Sequence, residues 1–149
     1  VSSKVSREEL RDQLRAAGLR ATAPRVAVLS LLLESERPLS HSEVVAGIGH
    51  DDWDRATLFR NLVKLEETGF ARVASRVGGV VRYEARGPND DSHGHPHFAC
   101  QGCGKVMCLK GVSLSLPTTG EWNAALADAD LQLVGTCPVC RGVANGGAL

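Results

Sequence analysis

Hydrophobic positions sort into helical stripes up to residue 68 and into short β-rich runs beyond it. Ser6-Arg-Glu-Glu9 is a capping-box pattern and Gly18 a natural stop, which predicts a helix over 7–17. Thr22 is placed to cap a second helix that tolerates Pro24 in its first turn, and the apolar run 26–33 reads as mostly buried. Ser40-His-Ser-Glu43 is another capping box, opening a short helix that ends at Gly47 or Gly49. Asp54 caps a fourth helix over 55–68, closed by Gly69. At 100° per residue, Leu58, Leu62 and Leu65 share one face of that helix, the face expected to be core. Residues 70–77 and 80–84 are β-rich and flank Gly78-Gly79, the pattern of a hairpin.

Three or four helices followed by a hairpin is the order of a winged helix-turn-helix domain. The polar, breaker-rich stretch 87–94 then reads as a linker. Beyond it the pattern predicts strands near 95–100 and 105–109, a helix near 120–129 and a strand near 131–134. The expected fold is therefore α+β. A winged-helix DNA-binding domain over 1–87 and a hinge or linker over 88–94 precede a small α/β domain over 95–149.

The outer face of the helix over 55–68 carries Ala56, Phe59, Arg60, Val63 and, toward its edge, Lys64. Such a stripe either packs on a neighbouring element or enters a DNA major groove, where apolar groups meet thymine methyls and Arg takes guanine or phosphate. The surrounding helix-helix-hairpin order favours the groove. Arg20, Arg25, Arg72, Arg76 and Arg82 are placed in flanking elements to reach phosphate or the minor groove. The expected DNA-binding set is Arg20, Arg25, Ala56, Thr57, Phe59, Arg60 and Lys64.

Composition narrows this picture. Formal net charge is +0, so DNA contact must come from a local basic patch. Residues 1–87 hold 14 Lys and Arg against 12 Asp and Glu, whereas residues 88–149 hold 3 against 5, which puts the positive excess in the first part. Aromatics are only 4%, so packing rests on Leu, Val and Ala, and a metal staple suits the smaller second part. No apolar run is long enough for a membrane span. Five cysteines is an odd number, which with the absence of a signal region implies a reducing cytoplasm and leaves Cys108 as an extra thiol.

The other four cysteines carry the strongest chemical signal. Cys100-Gln-Gly-Cys103 and Cys137-Pro-Val-Cys140 are two Cys-x-x-Cys turns separated by residues 104–136. Each turn aims two thiolates at one point, and two turns complete a tetrahedron around one structural Zn²⁺ per chain. His95-Pro-His97 sits directly before the first turn. On a strand, His95, His97 and Ala99 face one way while Pro96, Phe98 and Cys100 face the other, so one strand can serve two metal sites on opposite faces. Glu84 at the end of the hairpin, Cys108 on the next strand and His41 at the start of the third helix are further candidate ligands. His50 and His93 read as loop histidines facing water.

Several segments together resemble the ferric uptake regulator family of bacterial metal-dependent transcription factors. They are Arg20-Ala-Thr-Ala-Pro-Arg25, Ala56-Thr-Leu-Phe-Arg-Asn-Leu62, Gly69-Phe70, Arg82-Tyr-Glu84, the run from His95 to Lys105, and Gly135-Thr-Cys-Pro-Val-Cys140. The match runs from about residue 7 to 141. The resemblance implies a homodimeric repressor that binds a palindromic double-stranded DNA operator, with no small-molecule substrate and no enzymatic activity. It implies that Cys100, Cys103, Cys137 and Cys140 hold structural zinc, that Phe59 and Arg60 face the groove, and that Arg20 enters the minor groove. It also implies that residues 95–149 form a dimerisation and metal-binding domain, and that a hinge-linked regulatory site for a second divalent metal uses Glu84, His95 and His97. Cys108, at the late acidic position, and His41, as a substitute for the family His, complete the candidate set, whose imidazole, carboxylate and thiolate donors suit Fe²⁺ or Zn²⁺. Three departures stand out. Arg37 occupies a position where the family often has His, Cys108 stands where a late acidic ligand falls, and no His follows His97, so a further metal site found in some members is expected to be absent. Peroxide sensing through bound Fe or a reactive thiol is an alternative within the family. A Cys-x-x-Cys thiol-disulfide redox protein is the alternative from another class.

Overall fold

A computed structural model of the chain describes residues 5–49, 51–86, 96–109, 111–112, 115, 120–127 and 131–143. The chain divides into two compact units, Val1–Asn89 and Asp90–Leu149.

The first unit opens with α1 (Arg7–Ala16), capped reciprocally: the Glu9 amide donates to Ser6 Oγ at 3.2 Å and the Ser6 amide to Glu9 Oε2 at 2.7 Å. In α2 (Ala23–Glu34) Thr22 holds the N-cap position but its side chain makes no capping bond, and Pro24 sits in the first turn, where it costs no helical hydrogen bond. Of the apolar run 26–33, Val26, Val28, Leu29 and Leu32 are buried, while Leu33 reaches the surface. Strand β1 (Leu39–Ser40) leads directly into α3 (His41–Ile48), whose capping box joins Ser40 and Glu43. The Asp54 side chain accepts from the Thr57 amide at 2.7 Å to start α4 (Arg55–Glu67).

Strands β2 (Ala71–Ser75) and β3 (Arg82–Ala85) pair antiparallel, and β1 adds to the other side of β3. The expected hairpin is present but not as a tight turn. Its register shifts between Val73 and Ser75, and a 3-10 turn at Val77–Gly79 carries Gly78 and Gly79 at φ of 66° and 72°. Only glycine adopts two successive left-handed positions without strain, so the Gly-Gly pair specifies this wider wing. β1 has no counterpart in the sequence reading, because two residues are too short to show a period.

One apolar cluster holds the unit together. Leu10 and Leu14 of α1, Val26, Val28, Leu29 and Leu32 of α2, Val44 and Val45 of α3, and Leu58, Leu62 and Leu65 of α4 meet Leu39, Ala71 and Tyr83 from the sheet. Each fully buried Leu or Val contributes roughly 1.5–3 kcal/mol by removal from water. Gly47 lets α3 approach α2 closely, since a Cβ there would lie 2.9 Å from Leu31 Cδ2.

In the second unit β4 (His97–Cys100) is the central strand. It pairs antiparallel with β5 (Val106–Cys108) and parallel with β6 (Gln132–Gly135), and α5 (Trp122–Ala127) lies between β5 and β6 in the chain. Among the described residues its buried apolar side chains are few: Pro96, Ala99, Cys100, Val106 and Cys137.

Candidate metal centre and nucleic-acid interface

The two Cys-x-x-Cys turns leave the ends of neighbouring strands. Cys100 ends β4 opposite Gly135, and Cys137 follows β6 by two residues, so the parallel register brings the turns together. Both turns close the same way, with the Gly104 amide donating to the Cys100 carbonyl and the Arg141 amide to the Cys137 carbonyl, each at 2.9 Å. The four Sγ atoms lie within 4.8 Å of one another, and Cys103 and Cys137 Sγ are 3.9 Å apart. Zn–S bonds of about 2.3 Å place the corners of a tetrahedron about 3.8 Å apart, so the donor set fits Zn²⁺. Backbone amides turn toward the sulfurs as well: Cys137 and Gly102 each donate to Cys100 Sγ at 3.3 Å, and Cys140 donates to Cys137 Sγ at 3.5 Å.

Charge explains why such a cluster calls for a cation. Backbone N–H groups from Cys137, Cys103 and Gly102 lower the Cys100 thiol to about 6, so one thiolate forms readily. The surrounding sulfurs of Cys137, Cys100 and Cys103 push the Cys140 thiol up to about 12. Four thiolates at one point repel one another, and a divalent ion reverses that penalty by ionising every coordinating thiol. Gly102 is part of the fit, because a Cβ there would stand 3.1 Å from Cys140 Sγ.

β4 begins at His97, and the two-residue repeat of a strand puts His97 and Ala99 on one face and Phe98 and Cys100 on the other. Phe98 lies over Gly135, where an added Cβ would meet its ring at 3.3 Å. His97 pairs with Cys108 on one side and Gln132 on the other. Directly paired residues project from the same face of a sheet, so the fold brings the His97 imidazole and the Cys108 thiol together. His97 is buried and Cys108 half-buried. His50, His93 and His95 lie outside the described residues.

The other two expected regulatory ligands belong to the first unit and have partners there. Glu84 forms a mostly buried ion pair with Arg72, the residue opposite it in the β2–β3 ladder. His41 Nε2 lies 2.8 Å from the Arg55 carbonyl oxygen. Arg37 donates to Glu43 at 2.7 Å, and Arg82 lies 3.9 Å from the same carboxylate. Burial pulls the Glu43 carboxyl upward, but the Ser40 amide and Arg37 outweigh it and hold its pKa below the ordinary value. Arg37 and Glu84 line one cavity of about 150 Å³ with Leu32, Ser35 and Ala85. A guanidinium cannot ligate a metal, so Arg37 offers no donor to a site there, and its charge is taken by Glu43.

On α4 the inner leucines Leu58, Leu62 and Leu65 are fully buried. Outward, Phe59 is 46% exposed, Ala56, Arg60 and Lys64 are exposed, and Thr57 and Val63 are half-buried. Phe59 therefore does not insert into the core of its own unit. Arg60 Nη2 donates to Thr57 Oγ1 at 3.2 Å, while Lys64 pairs with Glu67 at 3.3 Å, which offsets part of its charge. Arg20 is exposed, and its carbonyl accepts from Arg25 Nη1 at 2.7 Å. Asn61 is buried on α4 and donates to the Thr57 carbonyl at 2.9 Å, a core polar position that its spacing, three after Leu58 and four before Leu65, could have signalled.

The sequence profile of the ferric uptake regulator family matches residues 16–133. The chain is 32% identical over 136 residues to the transcriptional regulator FurA of Mycobacterium tuberculosis, spanning 87% of this chain and 88% of that protein. Its structure is similar to that of the Helicobacter pylori ferric uptake regulator, with a TM-score of 0.64 across 99% of this chain and 100% of that one; at 21% identity this is a likeness of fold. The ferric uptake regulator of Pseudomonas aeruginosa with manganese is 27% identical, with a TM-score of 0.59 over 85% of this chain and 96% of that one. With a winged helical unit, a four-cysteine cluster that fits zinc and this extent of similarity, the chain belongs to the ferric uptake regulator family of metal-dependent transcriptional regulators.

Proposed function

We propose that this family member is a homodimeric repressor that reads a palindromic DNA operator through α4 when a second divalent metal, Fe²⁺ or Zn²⁺, is bound. The observation that carries the DNA reading is the outer face of α4, where a half-exposed Phe59 stands beside exposed Arg60 and Ala56 over a fully buried leucine face. An exposed aromatic next to an arginine on one helical face suits a major groove, which offers the ring thymine methyls while Arg60 meets guanine or phosphate. Arg20 and Arg25, at the start of α2, supply phosphate contacts that set register.

Zinc in the Cys₄ cluster is structural, because four protein ligands leave no open coordination position. His97 and Cys108 are the regulatory donors that the sheet register supports, with His95 two residues before His97. Imidazole and thiolate suit Fe²⁺ or Zn²⁺ better than Mg²⁺. His41 and Glu84 would first have to leave Arg55 and Arg72. A metal raises DNA affinity only by binding the DNA-competent arrangement more tightly, and a tenfold preference corresponds to about 1.4 kcal/mol. Dimerisation is supported by the apolar groups that the second unit exposes, Trp122, Leu126, Leu131 and Val134 among them.

A thiol-disulfide redox function fits less well. Both Cys pairs sit in turns after strands, not at a helix start, and all four sulfurs converge on one point. Selection of duplexes from random sequence, with and without Fe²⁺ or Zn²⁺, tests the proposal. Enrichment of a palindrome only with metal is expected; no enrichment under any condition would refute it.

A further inference from the structure

His41 stands at the meeting of α3 and α4. Its Nε2 lies 2.8 Å from the Arg55 carbonyl oxygen in the first turn of α4. A carbonyl only accepts, so Nε2 carries the hydrogen and donates it. The imidazole also meets the Phe59 ring edge-on, with centroids 5.3 Å apart and planes inclined at 64°. That distance and tilt are those of a favourable aromatic pair. Arg55 and Phe59 are four residues apart, one above the other on α4, so a single side chain holds both the backbone and the exposed aromatic of the same helical face.

The base of this contact is firm. His41 is the first residue of α3, directly after Ser40, which is buried, caps the helix and pairs with Arg82 in the sheet. Beside it, Arg55 Nη2 donates to Ser42 Oγ at 3.3 Å, a second bond between the same two helix starts. The Phe59 ring is thus half bare on its outer side and braced by imidazole on its inner side. A ring so braced loses little rotamer freedom on meeting a groove, which lowers the ordering cost of binding.

We infer that His41 is a positioning residue for DNA reading: it fixes α4 on α3 and holds the Phe59 ring in the orientation that meets the bases. The inference rests on the proposal that α4 reads DNA. It assigns His41 to specificity and removes it from the regulatory metal set.

A double-mutant cycle tests it. The full-length, zinc-loaded chain with added metal is titrated by fluorescence anisotropy against the duplex selected by the wild-type chain and against an unrelated duplex. The variants are His41→Ala, Phe59→Ala and the double substitution, together with His41→Gln, which keeps a donor, and His41→Phe, which keeps a ring. His41→Ala is expected to weaken binding to the selected duplex by about fivefold, with little change on the unrelated one. In the Phe59→Ala background it should add almost nothing, and His41→Gln and His41→Phe should each recover part of the loss. Fully additive losses, an unchanged affinity for His41→Ala, or loss of metal stimulation in His41→Ala would each overturn the inference. If Phe59→Ala itself leaves binding unchanged, the reading of α4 fails instead. Should His41→Ala impair folding, the same cycle run with His41→Gln carries the test.

Discussion

In the first unit fourteen buried side chains among the described residues, from four helices and a small sheet, form one apolar cluster. In the second, the buried apolar positions among the described residues are few, and two of them are zinc-cluster cysteines, Cys100 and Cys137. The first unit can hold its helices by area removed from water alone. Among its described residues the second buries far less such area, and its strand ends meet at four sulfurs. The proposed tasks divide in the same way: DNA reading is assigned to the exposed face of α4, and regulatory metal binding to the buried His97 and half-buried Cys108 on the strands of the second unit. A metal can then be indispensable to one unit's fold while leaving the other's intact.

The sharpest way to break this contrast is to remove one sulfur. Cys137→Ser should abolish stoichiometric zinc and the ordered fold of the second unit, while the helices of the first persist. Elemental analysis with amide hydrogen exchange on both units checks this, and full protection of β4 and β6 without zinc would contradict it. Leu62→Ala is the reciprocal cut. It should destabilise the first unit by about 3 kcal/mol, since Leu62 is fully buried, and leave zinc content unchanged. Denaturant unfolding beside a zinc assay measures both.

Phe59→Ala separates function from fold. Its exposure predicts near-wild-type unfolding but a loss of about 1–3 kcal/mol in binding to the selected duplex. Gly102→Ala should raise the rate of zinc loss to a chelator about tenfold, because the new methyl crowds Cys140 Sγ. The smallest effect concerns Glu43. Its folded pKa lies below the ordinary value of 4.5, so the stability it contributes is present above that value and is lost as pH falls through the lower folded value. The first unit should therefore show a shallow drop in unfolding temperature below about pH 4.5 that Glu43→Gln flattens.

Much of this was readable from the chain. Ser6, Ser40 and Asp54 mark helix starts because capping is local chemistry, and the Cys pairs announce their cluster because a two-residue spacer fixes a turn. What escaped was non-local. The β1 strand is too short for a period, and the Arg72–Glu84 pair depends on a register that the bulge after Val73 sets. The link from His41 to Phe59 and Arg55 crosses between two helices, and nothing in its spacing reveals it. His41 and Glu84 accordingly look like free ligands in sequence and are partnered side chains in the fold. Arg37, which interrupts the family pattern, answers to Glu43. No helix among the described residues is long and apolar enough to cross a membrane.

In the proposed mechanism a metal outside the Cys₄ cluster controls DNA reading by α4. Its most direct test is an anisotropy titration of the selected duplex with chain that retains its structural zinc, at increasing free Fe²⁺ or Zn²⁺. Affinity should rise at least about tenfold as a second metal equivalent binds, and Phe59→Ala should remove most of the gain. Equal affinity with and without the second metal would contradict the account.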